Sequence, residues 1–84
     1  MGDYVVKAIS RAGWHPYYLC KTRILGRYKF TSNVKRALRF SKVSEALIYI
    51  NGNFSEIRQA YQNGDFKAIG VGLAGDSNLL QRIK

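Results

Sequence analysis

The chain has 84 residues and a formal net charge of +9, with 46% hydrophobic and 13% aromatic residues. That is enough apolar material for a compact core and too much for a disordered tail. The single cysteine, Cys20, excludes an internal disulfide and fits a reducing compartment.

No stretch approaches the roughly 18 consecutive apolar residues that a membrane span needs. The opening "MGDYVVKAISR" has no basic leader, and Lys7 interrupts its apolar run, so it does not read as a signal peptide. No repeat, linker or low-complexity tract divides the chain. The expectation is one domain over residues 1–84, cytoplasmic, with no membrane contact.

In chain order, "DYVVKAISR" alternates, with Tyr4, Val6 and Ala8 on one side and Val5, Lys7 and Ile9 on the other, as a strand does. "AGWHP" is a turn, with Gly13 and Pro16 as breakers. Residues 17–25 and 27–31 then read as two strands around Gly26. Tyr18, Cys20, Thr22 and Ile24 would face inward and Lys21 and Arg23 outward, with Tyr28 and Phe30 opposing Arg27 and Lys29.

Ser32 can cap a short helix with Val34, Ala37 and Leu38 inward. Ser41 or Ser44 can start a second, "KVSEALIYI", ended by Asn51-Gly52. Ser55 opens a third, "EIRQAYQ", stopped by Asn63-Gly64, although Asn-Gly between apolar runs also fits a hairpin. "DFKAIGV" reads as a further strand near 66–71, and residues 73–84 as a tail or short helix. The sum is an α+β fold: a small antiparallel sheet of three N-terminal strands and this fourth, with two to three helices on one face. Its core would comprise Tyr4, Val6, Tyr18, Ile24, Tyr28, Phe30, Val34, Leu38, Phe40, Leu47, Ile50 and Ile57.

Catalytic signatures are weak. "GVGLAG", Gly70 to Gly75, matches the dinucleotide-binding spacing, but nine residues beyond it cannot supply the helix, second strand and acidic residue of that unit. One His and one Cys cannot form a Cys/His zinc site within the chain. His15 with Cys20 is better read as a turn residue and a small core residue than as base and nucleophile. The five carboxylates include no close pair for acid–base work. The expectation is a protein that is not an enzyme and needs no cofactor or metal.

Charge is the informative feature. Residues 1–42 hold ten Lys or Arg against Asp3 alone, whereas residues 43–84 hold four against four carboxylates. Such one-sided positive potential suits a polyanionic or acidic partner. Lys21, Arg23, Arg27 and Lys29 on a basic sheet face, followed by Lys35, Arg36, Arg39 and Lys42, form a candidate nucleic-acid surface. Trp14 and Tyr17 are candidates for stacking on bases.

Three resemblances bear on this. "PYYLCKTRILGRYKFTSNVKRALRF" superficially resembles GIY-YIG nucleases. However, "PYY" and "YKF" replace both signature triplets, and Ala37 falls where that family has its catalytic Arg. No activity carries over. The order strand–strand–strand–helix with a basic sheet is similar to the arm-binding domains of tyrosine integrases, in topology only.

The segments "YYL", "GRYKFTS", "KRALRFSK" and "SEAL" resemble small phage or prophage early proteins. These commonly modulate host machinery, including RNA polymerase, restriction systems and CRISPR effectors. The expected function is non-enzymatic binding of DNA or RNA, as an accessory or regulatory protein. The alternative is a phage-type inhibitor that docks on an acidic surface of a host nucleic-acid enzyme, in the host-cell cytoplasm.

Overall fold

The structure is a computed structural model that describes residues 2–13, 15–24, 26–74 and 78–83. In it, a sheet is built from β1 (Tyr4–Ser10), β2 (Pro16–Lys21), β3 (Tyr28–Thr31), β4 (Phe66–Leu73) and β5 (Gln81–Arg82). All neighbours are antiparallel and the order is β3-β2-β1-β4-β5, so β1 is central. Two helices, α1 (Val43–Gly52) and α2 (Phe54–Asn63), separate β3 from β4. The architecture is α+β.

The helices cover one face of the sheet. Val43, Ala46, Leu47 and Ile50 recur at helical spacing on α1, as do Ile57 and Tyr61 on α2. They pack on Val6 of β1, Leu19 of β2, Tyr28 and Phe30 of β3, and Ile69 and Val71 of β4. At the start of α1, the Glu45 carboxylate accepts the Ser41 N–H at 3.0 Å, just ahead of the Lys42 cap. Asn53 alone joins the helices: its backbone N–H donates to Tyr49 and Ile50, and its side-chain amide donates to the Tyr49 carbonyl at 2.9 Å. Asn51-Gly52 therefore closes the last turn of α1 instead of lying beyond it. The "EIRQAYQ" segment is helical, and Gly64 ends it where a Cβ would run into the Phe66 ring.

The second face is also covered. Val5, Tyr18 and Ala37 form a smaller cluster with Val34 and Ala74, and Lys7, Ile9 and Cys20 are buried beside it. The cover comes from residues 32–37 and from Ala74 and Asn78, described residues that follow β4. Gly70 and Gly72 permit the second approach, because a Cβ at Gly72 would strike the Asn78 carbonyl and the Lys7 side chain, and one at Gly70 would strike the Gln81 backbone. The glycine spacing thus belongs to a buried strand. Gly75 lies outside the described residues.

Several expectations need correction. The two hairpin strands are shorter than the pattern suggests, because residues 22–27 form the connection, and Ile24 is exposed, at 65%, instead of core. The Ser32 helix is one 3-10 turn, Val34–Arg36, whose Asn33 side chain accepts the Lys35 N–H at 3.1 Å. Its neighbours then cross between faces: Val34 and Ala37 pack on the second face, Leu38 and Phe40 on the helical one.

The crossing occurs where β1 and β2 part. Leu38 donates to the Leu19 carbonyl at 3.0 Å, and Tyr4 and Phe40 exchange backbone hydrogen bonds of 3.1 and 2.9 Å. The tail forms β5 instead of a helix, with Leu80 and Ile83 donating to Val71 and Ile69. No helix among the described residues is long and apolar enough to cross a membrane.

Candidate functional site

Residues directly opposite in an antiparallel pair share a sheet face. Lys21 pairs with Tyr28, so it lies on the helical face, and Lys29 pairs with Cys20, so it lies on the other. Arg23 and Arg27 belong to the connection. The four hairpin cations therefore do not share one sheet face. The alternation failed here because β2 is buried on both sides, through Leu19 as well as Tyr18 and Cys20.

What brings these cations together is the β2–β3 turn and the seam beside it. The Thr22 N–H donates to the Arg27 carbonyl and the Arg27 N–H to the Ile24 carbonyl, each at 3.1 Å. Gly26 has φ +79°, which suits the third position of a type II turn and disfavours any side chain. The Thr22 hydroxyl accepts the Ile24 N–H at 3.1 Å and donates to the Ile24 carbonyl at 3.1 Å, with the Arg27 carbonyl at 3.3 Å. The loop that carries Arg23 and Arg27 is thus held by its own hydrogen bonds.

Three adjoining hollows follow the line where β3, the edge strand, meets α2 and the α1–α2 junction. One of about 310 Å³ is lined by Lys21, Thr22, Arg23, Ile24, Gly26, Arg27, Tyr28 and Asn53. The next, of about 200 Å³, runs from Gly26, Arg27 and Tyr28 to Glu56, Gln59, Ala60 and Asn63. The third, of about 240 Å³, includes Tyr28, Lys29, Phe30, Asn63 and Phe66. Tyr28 lines all three. One wall is cationic, the other carries the carboxamides of Asn53, Gln59 and Asn63, and Glu56 is the lone carboxylate.

Tyr28 anchors the seam to α1. Its hydroxyl shares a 2.8 Å hydrogen bond with that of Tyr49, and the rings meet edge to face at 6.1 Å. Burial pushes the Tyr49 phenol above its ordinary value, and the Tyr28 hydrogen bond adds to this.

The other four candidates lie elsewhere. Lys35 and Arg36 are exposed on the 3-10 turn over the second face, Arg39 holds the Val34 carbonyl at 3.4 Å, and Lys42 precedes α1. All eight cations are exposed, and among the described residues none of them makes an ion pair. Arg11, by contrast, meets Asp65 at 3.3 Å at the opposite end of the sheet.

Tyr17 is half-buried and packs edge-on to Phe66 at 5.7 Å, so its ring belongs to the aromatic group of Phe30, Tyr61 and Phe66 instead of projecting for stacking. Trp14 lies outside the described residues. Cys20 is buried, His15 is exposed, and no three His, Cys, Asp or Glu side chains among the described residues are grouped to hold a metal.

Thr22, Tyr28, Asn53, Gln59 and Asn63 were not among the site residues that the sequence pattern suggested. Thr22 was readable, since a Thr two residues before a turn can bond its own backbone. The carboxamides were not, because their role depends on α2 lying along β3. No protein-family model matches the chain, and comparisons with curated proteins and with solved structures each found no match.

Proposed function

We propose that the protein binds nucleic acid without chemistry of its own, as an accessory or regulatory factor, through the cations between Lys21 and Lys42. One observation carries this: eight exposed cations without an ion-pair partner among the described residues, four of them along one seam. Lysine and arginine normally find carboxylates when these are near, and an uncompensated run holds a positive potential that attracts phosphate. Arginine also takes phosphate oxygens in a bidentate fork, and the hydrogen-bonded loop that carries Arg23 and Arg27 supports this reading.

Binding to a mixed-sequence oligonucleotide over a salt series tests this. Each phosphate contact contributes about −0.9 to the log–log slope on duplex DNA and about −0.7 on a single strand. Changing Arg23 and Lys29 together to Gln should flatten the slope by between about 1.4 and 1.8, by the same relation. Arg58 and Lys67, changed to Gln, are the control pair in the neutral half. Equal losses from both pairs would mean diffuse attraction to a basic protein. A nuclease-treated lysate in which an acidic protein remains bound, with no oligonucleotide affinity, would favour the inhibitor that docks on a host enzyme.

A further inference from the structure

We infer that the seam between β3 and α2 is a groove for a single-stranded segment of DNA or RNA, laid along α2. The inference rests on the nucleic-acid reading above and deepens it by naming the form of the partner. Three features point to a single strand.

The first is shape. The seam is a row of small hollows, each near or below the lower end of the roughly 300–1,000 Å³ range of small-molecule pockets. Such hollows admit individual bases or phosphates. A stacked duplex presents its backbones outside and keeps its base faces covered, so it can touch the rim but not fill the floor.

The second is the chemistry of the two walls. Lys21, Arg23 and Arg27 offer only donors, which suits phosphate oxygens. Gln59 and Asn63, on the α2 side, offer both donors and acceptors, which suits the hydrogen-bonding edges of unpaired bases. A channel for a small inorganic anion would not need the second wall. The side chains of an acidic peptide are acceptors only, so they would leave the carboxamide oxygens to its backbone N–H groups.

The third is preorganisation. The Thr22 hydroxyl and Gly26 fix the loop, and the Tyr28–Tyr49 hydrogen bond fixes the floor, before any ligand arrives. Ordering costs are thereby already met in the free protein. The same loop exposes Ile24, an apolar side chain that lines the largest of the three hollows and offers apolar contact to an unstacked base.

The experiment measures binding of a fluorescent oligonucleotide, its exact duplex and its RNA equivalent, at one salt concentration. The single strands should bind at least about tenfold more tightly than the duplex, since the floor is open only to them. R23Q/R27Q should lower single-strand affinity by about tenfold or more and flatten its salt slope by about 1.4. K35Q/R36Q, remote from the seam, should do less. Q59A/N63A should change the preference among homopolymers while leaving the salt slope unchanged, because amides release no counterion. Each variant's unfolding midpoint is measured alongside, and all these side chains are exposed.

Two results overturn the inference while leaving the broader reading standing: duplex bound as tightly as single strand, or K35Q/R36Q as damaging as R23Q/R27Q. Absence of binding to every oligonucleotide at low salt overturns both.

Discussion

Lys7 and Lys29 lie on the same face of the sheet and have opposite fates. Lys29 is exposed at the edge strand, whereas Lys7, on the central strand, has no accessible surface at all. Its stem runs against Gly72, close to where the Asn78 carbonyl approaches, and no buried side-chain nitrogen or oxygen among the described residues lacks a hydrogen-bond partner. A buried polar side chain survives only where its hydrogen bonds are met, so removing it loses packing and strands whatever it contacts. Lys7→Ala should therefore lower stability by at least about 2 kcal/mol, and Lys29→Ala by no more than about 0.5 kcal/mol. Denaturant unfolding of the two variants decides it. Equal effects would mean that the second face is not a closed layer.

At the level of elements, β1 and α1 were legible in the sequence, β4 was read as a strand that ended two residues short, and α2 stayed open between helix and hairpin because Asn-Gly fits both. The hairpin between them was misassigned at its tip. "CKTRIL" alternates as a strand would, yet Thr22 bonds its own backbone and ends the ladder at Lys21. Ile24 was consequently placed in the core in phase with Tyr18 and Cys20, while Leu19, one residue out of phase, is fully buried. A strand covered on both faces carries no polar phase to choose by, and nothing local announces that residues 32–37, with Ala74 and Asn78, will cover the second one.

The basic face had the same origin: four cations were assigned one phase, and a two-sided strand shares them between faces. Leu19→Ala and Ile24→Ala separate the two descriptions. The first should cost about 2–5 kcal/mol through the cavity it leaves between sheet and helices, and the second should stay within about 0.5 kcal/mol. A larger cost at Ile24 would restore the longer strands.

Over the whole molecule, the charges that favour a polyanion also work against the fold. A net charge of +9, with its excess confined to residues 1–42, makes the compact state repel itself, while the unfolded chain spreads the same charges apart. Salt screens both effects within a Debye length of about 10 Å at 0.1 M. Folding and binding should then respond to salt with opposite signs. Raising salt from low to moderate concentration should increase the thermal midpoint of the free protein and weaken its hold on an oligonucleotide. Removing two cations from the seam by R23Q/R27Q should mimic salt on both counts, giving a higher midpoint at low salt and weaker binding. Saturating oligonucleotide should raise the midpoint of the unaltered protein, by about 2.7 kcal/mol of stability at one hundred times its Kd. If salt lowered the midpoint instead, attractive pairs would outweigh repulsion in the fold, and the seam cations would not be the uncompensated run on which the proposed function rests.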